Sequence, residues 1–195
     1  MSARNIETKM VAWIDKKLAG NGSAQHAIEM GDARSVFIHA VEACVGIREE
    51  GGNNKGPMVK LIQETLGGAD SEAWCMAFMQ TCIAYAEVKT GIVSPIYPSE
   101  HCLTTWGSTP KKQRVKTFPA QGAIIIWRHG SGPAGHTGMF SESTDGKTMH
   151  AIEGNTEGGL SPTGAVERDG GGVYFTSRSM KGTGNMKVVG FLKPF

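Results

Sequence analysis

HTGMFSESTDGKTMHAIEGN, residues 136–155, reads as two strand-like runs on either side of Asp145-Gly146. Asp-Gly between alternating apolar residues is a strong hairpin signal, because a tight hairpin turn needs positive φ where glycine and aspartate tolerate it. A two-residue loop pairs Thr144 with Lys147 and sets Gly138 opposite Glu153 and His136 opposite Asn155. A four-residue loop over 143–146 sets His136 opposite Glu153 instead. Side chains alternate along a strand, so in both registers His136, Glu153 and Asn155 share one face. His150 has the opposite parity, and His129 lies before the hairpin in a glycine-rich loop. Directly paired side chains lie about 5 Å apart and diagonal ones about 7–8 Å, so an imidazole can meet a carboxylate or an amide here. A three-residue loop or a bulge would reverse the parity.

Outward from the hairpin, GAIIIWR (122–128), GVYFTSR (172–178) and MKVVGFLK (186–193) are further short strand patterns. Most of the 27 glycines follow residue 120, as expected of strands joined by tight turns. The first half has helical spacing. Ile6, Met10, Trp13, Ile14 and Leu18 mark a helix over 5–19, stopped by Gly20-Asn21-Gly22-Ser23. A second helix starts after Asp32 and carries Val36, Phe37, Ala40, Val41 and Cys44. Pro57 suits the first turn of a third. Asp70 or Ser71 caps a fourth, over roughly 72–88. Residues 92–120, with four prolines and the basic run KKQRVK (111–116), read as irregular and solvated. Helices followed by an antiparallel sheet predict an α+β fold, with residues 1–32 as an N-terminal helical extension and 33–195 as the main domain.

The 195 residues suffice for one sizeable core, and 39% hydrophobic with 19% charged residues suits a soluble chain. A net charge of +2 is too small to indicate nucleic acid, though a mildly basic protein suits an anionic polymer such as a bacterial wall. No run approaches the roughly 20 apolar residues needed to span a bilayer, and the run Met10–Ile14 is too short for a signal peptide. Synthesis in a cytoplasm is therefore expected, without membrane insertion. Four cysteines in such a chain are expected to be reduced. CxxC is missing, and His101-Cys102 alone makes no zinc site. GxGxxG, P-loop and GxSxG motifs are also missing, so neither a nucleotide cofactor nor serine chemistry is expected. The expectation is no cofactor and no metal.

SEAWCMAFMQTC, residues 71–82, holds two of the cysteines. On a helix Cys75 and Cys82 lie about 10 Å apart, too far for a disulfide or a shared metal. Cys82, among Met79, Ile83 and Ala86, reads as a small hydrophobe. Cys75 is in the first turn, where unpaired amides favour a thiolate and can receive an oxyanion. A thiol nucleophile needs a histidine base and a group that fixes its tautomer. That selects Cys75, His136, and Glu153 or Asn155. The bland alternatives are core filler for Cys75 and a surface histidine beside a polar turn for His136. Glu50, Asn53 and Asn54, in the loop GIREEGGNNKGP (46–57), are candidates to line a substrate cleft, or simply an exposed loop. Trp74, Trp106 and Trp127 suit the walls of a groove or a core equally.

Taken in order, Trp74-Cys75-Met76-Ala77-Phe78, GAIIIW (122–127), Gly135-His136-Thr137-Gly138 and Glu153-Gly154-Asn155 resemble the CHAP family. These are cysteine- and histidine-dependent amidohydrolases/peptidases, a papain-like branch that cuts peptidoglycan. The likeness covers roughly residues 40–195 and implies a papain-like fold for 33–195. It also implies Cys75 as nucleophile, His136 as base, and Glu153 and Asn155 as its partners; Glu50, Asn54, Trp74 and Trp127 are the candidate substrate contacts. Many members carry a calcium loop of aspartates before the cysteine. Here only Asp70 stands there, so calcium is not expected. The resemblance implies a peptidoglycan hydrolase, and a monomer with no nucleic-acid partner is expected. GIREEGGNNKGP looks like a segment of phage-associated members, which suggests an endolysin reaching the wall through a holin. An antibacterial effector, an acyltransferase on the same residues and a non-catalytic wall-binding module are the rival readings.

Overall fold

The structure, a computed structural model, describes residues 4–157 and 171–195. The first three residues of the expected N-terminal extension therefore lie outside it. The helices come first: α1 (Thr8–Leu18), α2 (Gly22–Glu29), α3 (Ala33–Ala43), α4 (Pro57–Glu64), α5 (Cys75–Thr90) and α6 (Cys102–Ser108). The strands are β1 (Arg114–Val115), β2 (Ile124–His129), β3 (Gly135–Glu142), β4 (Thr148–Thr156), β5 (Gly172–Ser179), β6 (Gly182–Thr183) and β7 (Met186–Leu192). They form an antiparallel sheet in the order β1-β7-β2-β3-β4-β5, with β6 on β7. The fold is α+β, as the sequence predicts.

α5 is the centre. Every residue from Cys75 to Glu87 is buried, with α3 on one side and β3 and β4 on the other. A helix apolar all round is stable only when walled in all round. It ends at Gly91 with φ 72, a left-handed cap. Its start differs from the expected one. The residue before the first turn is Trp74, no side chain caps it, and Ser71 sits at φ 72, already in the loop. Neither Asp70 nor Ser71 is the cap.

Two other expectations change. Gly20-Asn21-Gly22-Ser23 ends α1 but also starts α2, because the Asn21 side chain accepts a hydrogen bond from the Ala24 amide at 3.0 Å. The stretch 92–120 is not wholly irregular. It contains α6, and Arg114–Val115 pairs with β7.

The hairpin has the two-residue register at its base, with Met139 opposite Ile152 and Phe140 opposite Ala151. Its tip differs. Asp145 accepts from the amides of Lys147 and Thr148 at 2.8 and 2.6 Å, holding a wider turn, and Glu142 faces His150. Carried inward unchanged, that pairing would set His136 on the wrong parity. A one-residue shift between Phe140 and Glu142 reverses the parity again. The wider turn and the bulge cancel, and His136 keeps the face of Glu153.

Met10, Ile14 and Leu18 of α1 enter the same core as α3 and α5. Ahead of them Arg4 is buried. Its Nε donates to Gln80 Oε1 at 2.6 Å and its Nη1 to Glu87 Oε1 at 2.9 Å, both on α5. Truncating one partner of a buried pair strands the other charge. Arg4→Ala should lower unfolding stability by about 3–5 kcal/mol, read from denaturant melts. A loss below about 1 kcal/mol would mean that Glu87 recovers its solvation.

Candidate active site

Cys75 opens α5 and is only 7% exposed. The first backbone bond of the helix runs from the Phe78 amide to the Trp74 carbonyl at 2.9 Å, so the preceding amides stay available to the sulfur and the cleft. The Cys75 thiol is pulled well below its ordinary range. The strongest cause is a hydrogen bond from Cys102, which outweighs burial, and His136 and the Met76 amide add to it. Cys102, the first residue of α6, has its sulfur 3.9 Å from that of Cys75 and is pushed up by the same contact. Cys75 is therefore the thiolate of the pair and Cys102 the thiol.

His136, on β3, is the register partner of Trp127 and stacks on its ring at 5.6 Å with 25° between planes. Its Nε2–H donates to Glu153 Oε2 at 2.8 Å, which leaves Nδ1 for the Cys75 sulfur. Burial opposes a charged imidazole. The bonds and charges of Cys75 and Glu153 overcome it and raise the His136 pKa to about 9. The pair rests as thiolate and imidazolium.

Glu153 is fully buried. Arg178 of β5 holds it with a fork, Nε to Oε1 at 2.9 Å and Nη2 to Oε2 at 2.7 Å, and Thr176 donates its hydroxyl to Oε1. Burial would raise its pKa, but Arg178 and His136 prevail and hold it at about 2. Two glycines make room. A Cβ on Gly138 would lie 2.6 Å from Glu153 Cγ, where that side chain crosses β3 toward His136. A Cβ on Gly154 would lie 2.6 Å from the Phe78 ring, where β4 presses on α5. The spacing Gly-His-x-Gly and Glu-Gly-Asn thus has a steric cause.

A cleft of about 320 Å³ lies over Cys75, lined by Glu72, Ala73, Glu100, His101, Cys102 and Pro133–Gly135. The structure brings Cys75, His136 and Glu153 together. Asn155 lies two residues further along β4, buried, at φ 53 where β4 breaks its pairing with β5. Trp127 stands behind His136, fully buried, instead of on the cleft. Trp74 is also fully buried, and its Nε1 donates to Glu49 at 2.9 Å. Glu50 is exposed, with its amide bonded to the Lys55 carbonyl, and Asn54 lines a separate depression with Pro57 and Asp70. Neither lines the cleft over Cys75. Trp106 packs on Gly190 of β7 and carries Arg114 over its ring.

Sequence reasoning missed Arg178, Thr176 and Cys102. A signal existed for the first two. A buried glutamate demands a cation, and Thr176 and Arg178 alternate on the neighbouring strand. No sequence signal joins Cys102 to Cys75.

Among the described residues, no group of three potential ligands could hold a metal, and no helix is long and apolar enough to cross a membrane. Residues 67–155 match the family model of the CHAP domain, a span that includes Cys75, His136, Glu153 and Asn155. No match was found among curated proteins.

Two outcomes follow from the charges. Iodoacetamide at neutral pH should alkylate Cys75 ahead of Cys44 and Cys82, whose thiols are buried in the core, as peptide mass spectrometry would read. Equal labelling of the three would refute the thiolate assignment. The depressed Glu153 pKa contributes stability that is complete above the ordinary value of 4.5 and lost as pH falls toward about 2. The stability gap between the parent and Glu153→Gln should therefore narrow over that window in pH-dependent melts. Over residues 67–155, a little under half of its length, the chain is similar to the CHAP domain, and Cys75, His136 and Glu153 all fall within that stretch.

Proposed function

We propose that the protein hydrolyses an amide bond in the peptide part of peptidoglycan, with Cys75 as nucleophile. The observation that carries this is one connected line of contacts, from Cys75 to His136 to Glu153 to Arg178, with the sulfur on a cleft and the carboxylate sealed from water. Thiolate Cys75 attacks the carbonyl carbon, and His136 gives its Nδ1 proton to the departing amine. Neutral His136 then takes a proton from water, which releases the acyl group from sulfur. Glu153 keeps Nε2–H in place throughout and stabilises the imidazolium, and Arg178 and Thr176 hold Glu153. The Cys75 amide, at the helix start, supplies one oxyanion donor. Asn155, two residues on along β4, is a second candidate to orient His136.

The catalytic unit in this reading is residues 33–195. The segment before it braces α5 through Arg4. The protein acts as a monomer and needs neither metal nor cofactor. The loop GIREEGGNNKGP favours a phage endolysin, made in the cytoplasm and let through to the wall by a holin. Muropeptide mass spectrometry after digestion of purified walls assigns the bond, and an added amine appearing in the product would identify an acyltransferase instead.

Cys75→Ala should reduce wall lysis at least about 10³-fold in a turbidity assay. A variant that lyses walls like the parent overturns the hydrolase reading and leaves a binding module. Glu153→Gln should cost about 10²–10⁴-fold in kcat/KM through loss of the oriented imidazolium. In the parent, kcat/KM should fall as pH rises through about 9, where His136 loses its proton.

A further inference from the structure

The described residues contain two close pairs of thiols, in opposite surroundings. Cys44 and Cys82 interact in the core, both fully buried, and burial foremost pushes the Cys82 thiol well up. Cys75 and Cys102 have their sulfurs 3.9 Å apart, and both line the 320 Å³ cleft. Each opens a helix. Gly135 of β3 lies directly against Cys102, since a Cβ there would come within 2.9 Å of Cys102 Cβ. Cys75, Cys102 and Gly135 thus line the same cleft. A disulfide needs sulfurs about 2.05 Å apart, so small side-chain rotations must close a gap of roughly 2 Å.

We infer that Cys75 and Cys102 are a peroxide-sensing pair that forms a reversible disulfide across the mouth of the cleft. The oxidant is hydrogen peroxide, which enters wherever a peptide does. The Cys75 thiolate attacks one peroxide oxygen. An S–O bond forms, the O–O bond breaks, and the departing hydroxide takes a proton to leave as water. Cys75 is then a sulfenic acid, oxidised by two electrons. The Cys102 sulfur attacks the Cys75 sulfur, an S–S bond forms, the S–O bond breaks, and the Cys102 proton leaves with the hydroxide as a second water. Two thiols and one peroxide yield one disulfide and two waters. A dithiol reverses it by exchange. The core pair is shielded from this chemistry, since both sulfurs are fully buried and burial pushes the Cys82 thiol well up. Without Cys102, a sulfenic acid at Cys75 has no adjacent thiol and continues to the irreversible sulfinic acid. The inhibitory consequence rests on the proposed role of Cys75 as nucleophile, whereas the disulfide itself does not.

The test uses the full chain. Protein treated with a small excess of hydrogen peroxide is denatured in alkylating reagent, digested without reduction and analysed by mass spectrometry, while wall lysis is followed in parallel. The expected result is a peptide linking Cys75 to Cys102, with Cys44 and Cys82 alkylated. Lysis should be lost in proportion to the linked fraction and restored by dithiothreitol. For Cys102→Ser, compared only with its own untreated lysis, peroxide should produce Cys75 sulfinic acid and a loss that dithiothreitol does not restore. Peroxide inactivation of the parent with no such link would overturn the disulfide, as would a Cys44–Cys82 link formed first. A fully linked protein that still lyses walls would instead overturn the nucleophile reading and the inhibition with it.

Discussion

A carboxylate taken wholly out of water needs neighbours that replace its solvation. Glu153 has them in Arg178, Thr176 and His136. Each comes from a strand next to or bearing Glu153: the histidine from β3, the threonine and arginine from β5. One carboxylate therefore couples three adjacent strands. The line extends to the sulfur of Cys75 on α5, so the charges alternate as thiolate, imidazolium, carboxylate and guanidinium. Alternation makes the burial tolerable, because each ion stands between partners of opposite sign. It also fixes the imidazole by both nitrogens, which loosely held side chains could not do.

Much of this arrangement is legible in the residues themselves. Period-2 spacing in the hairpin sets His136 and Glu153 on one face, and the apolar run after Trp74 sets Cys75 at a helix start. Both are local properties. The hairpin shows how narrowly this works, since the wider turn held by Asp145 and the bulge at Phe140/Glu142 each reverse the parity and only together preserve it. Neither leaves a clear mark in the chain. Arg178 and Cys102 are harder still, because they meet the site through tertiary contacts 25 and 27 positions away. The tryptophans and the loop at Glu50 and Asn54 illustrate the limit from the other side. Composition suits them to a groove, but packing places Trp74 and Trp127 in the core and the loop away from the cleft over Cys75.

The glycines connect packing to chemistry. At positions 138 and 154 the neighbouring atoms leave no volume for a methyl group. In one case the occupant is the aliphatic part of the glutamate on its way to the histidine, in the other the ring of Phe78 one turn after Cys75. At Gly154 β4 can approach α5 closely because no side chain projects between them. The distance between sulfur and imidazole is thus inherited from the packing of sheet on helix.

Burial of α5 on every side also divides the molecule into a part that cannot vary and a part that can. Any substitution along its first three turns must be absorbed by close-packed neighbours. The rim formed by Glu72, Glu100 and His101 and by Pro133–Ala134 is exposed or half-buried and carries less of that constraint. The side chains of those two rim segments can therefore be exchanged while Cys75 and His136 stay where the interior holds them.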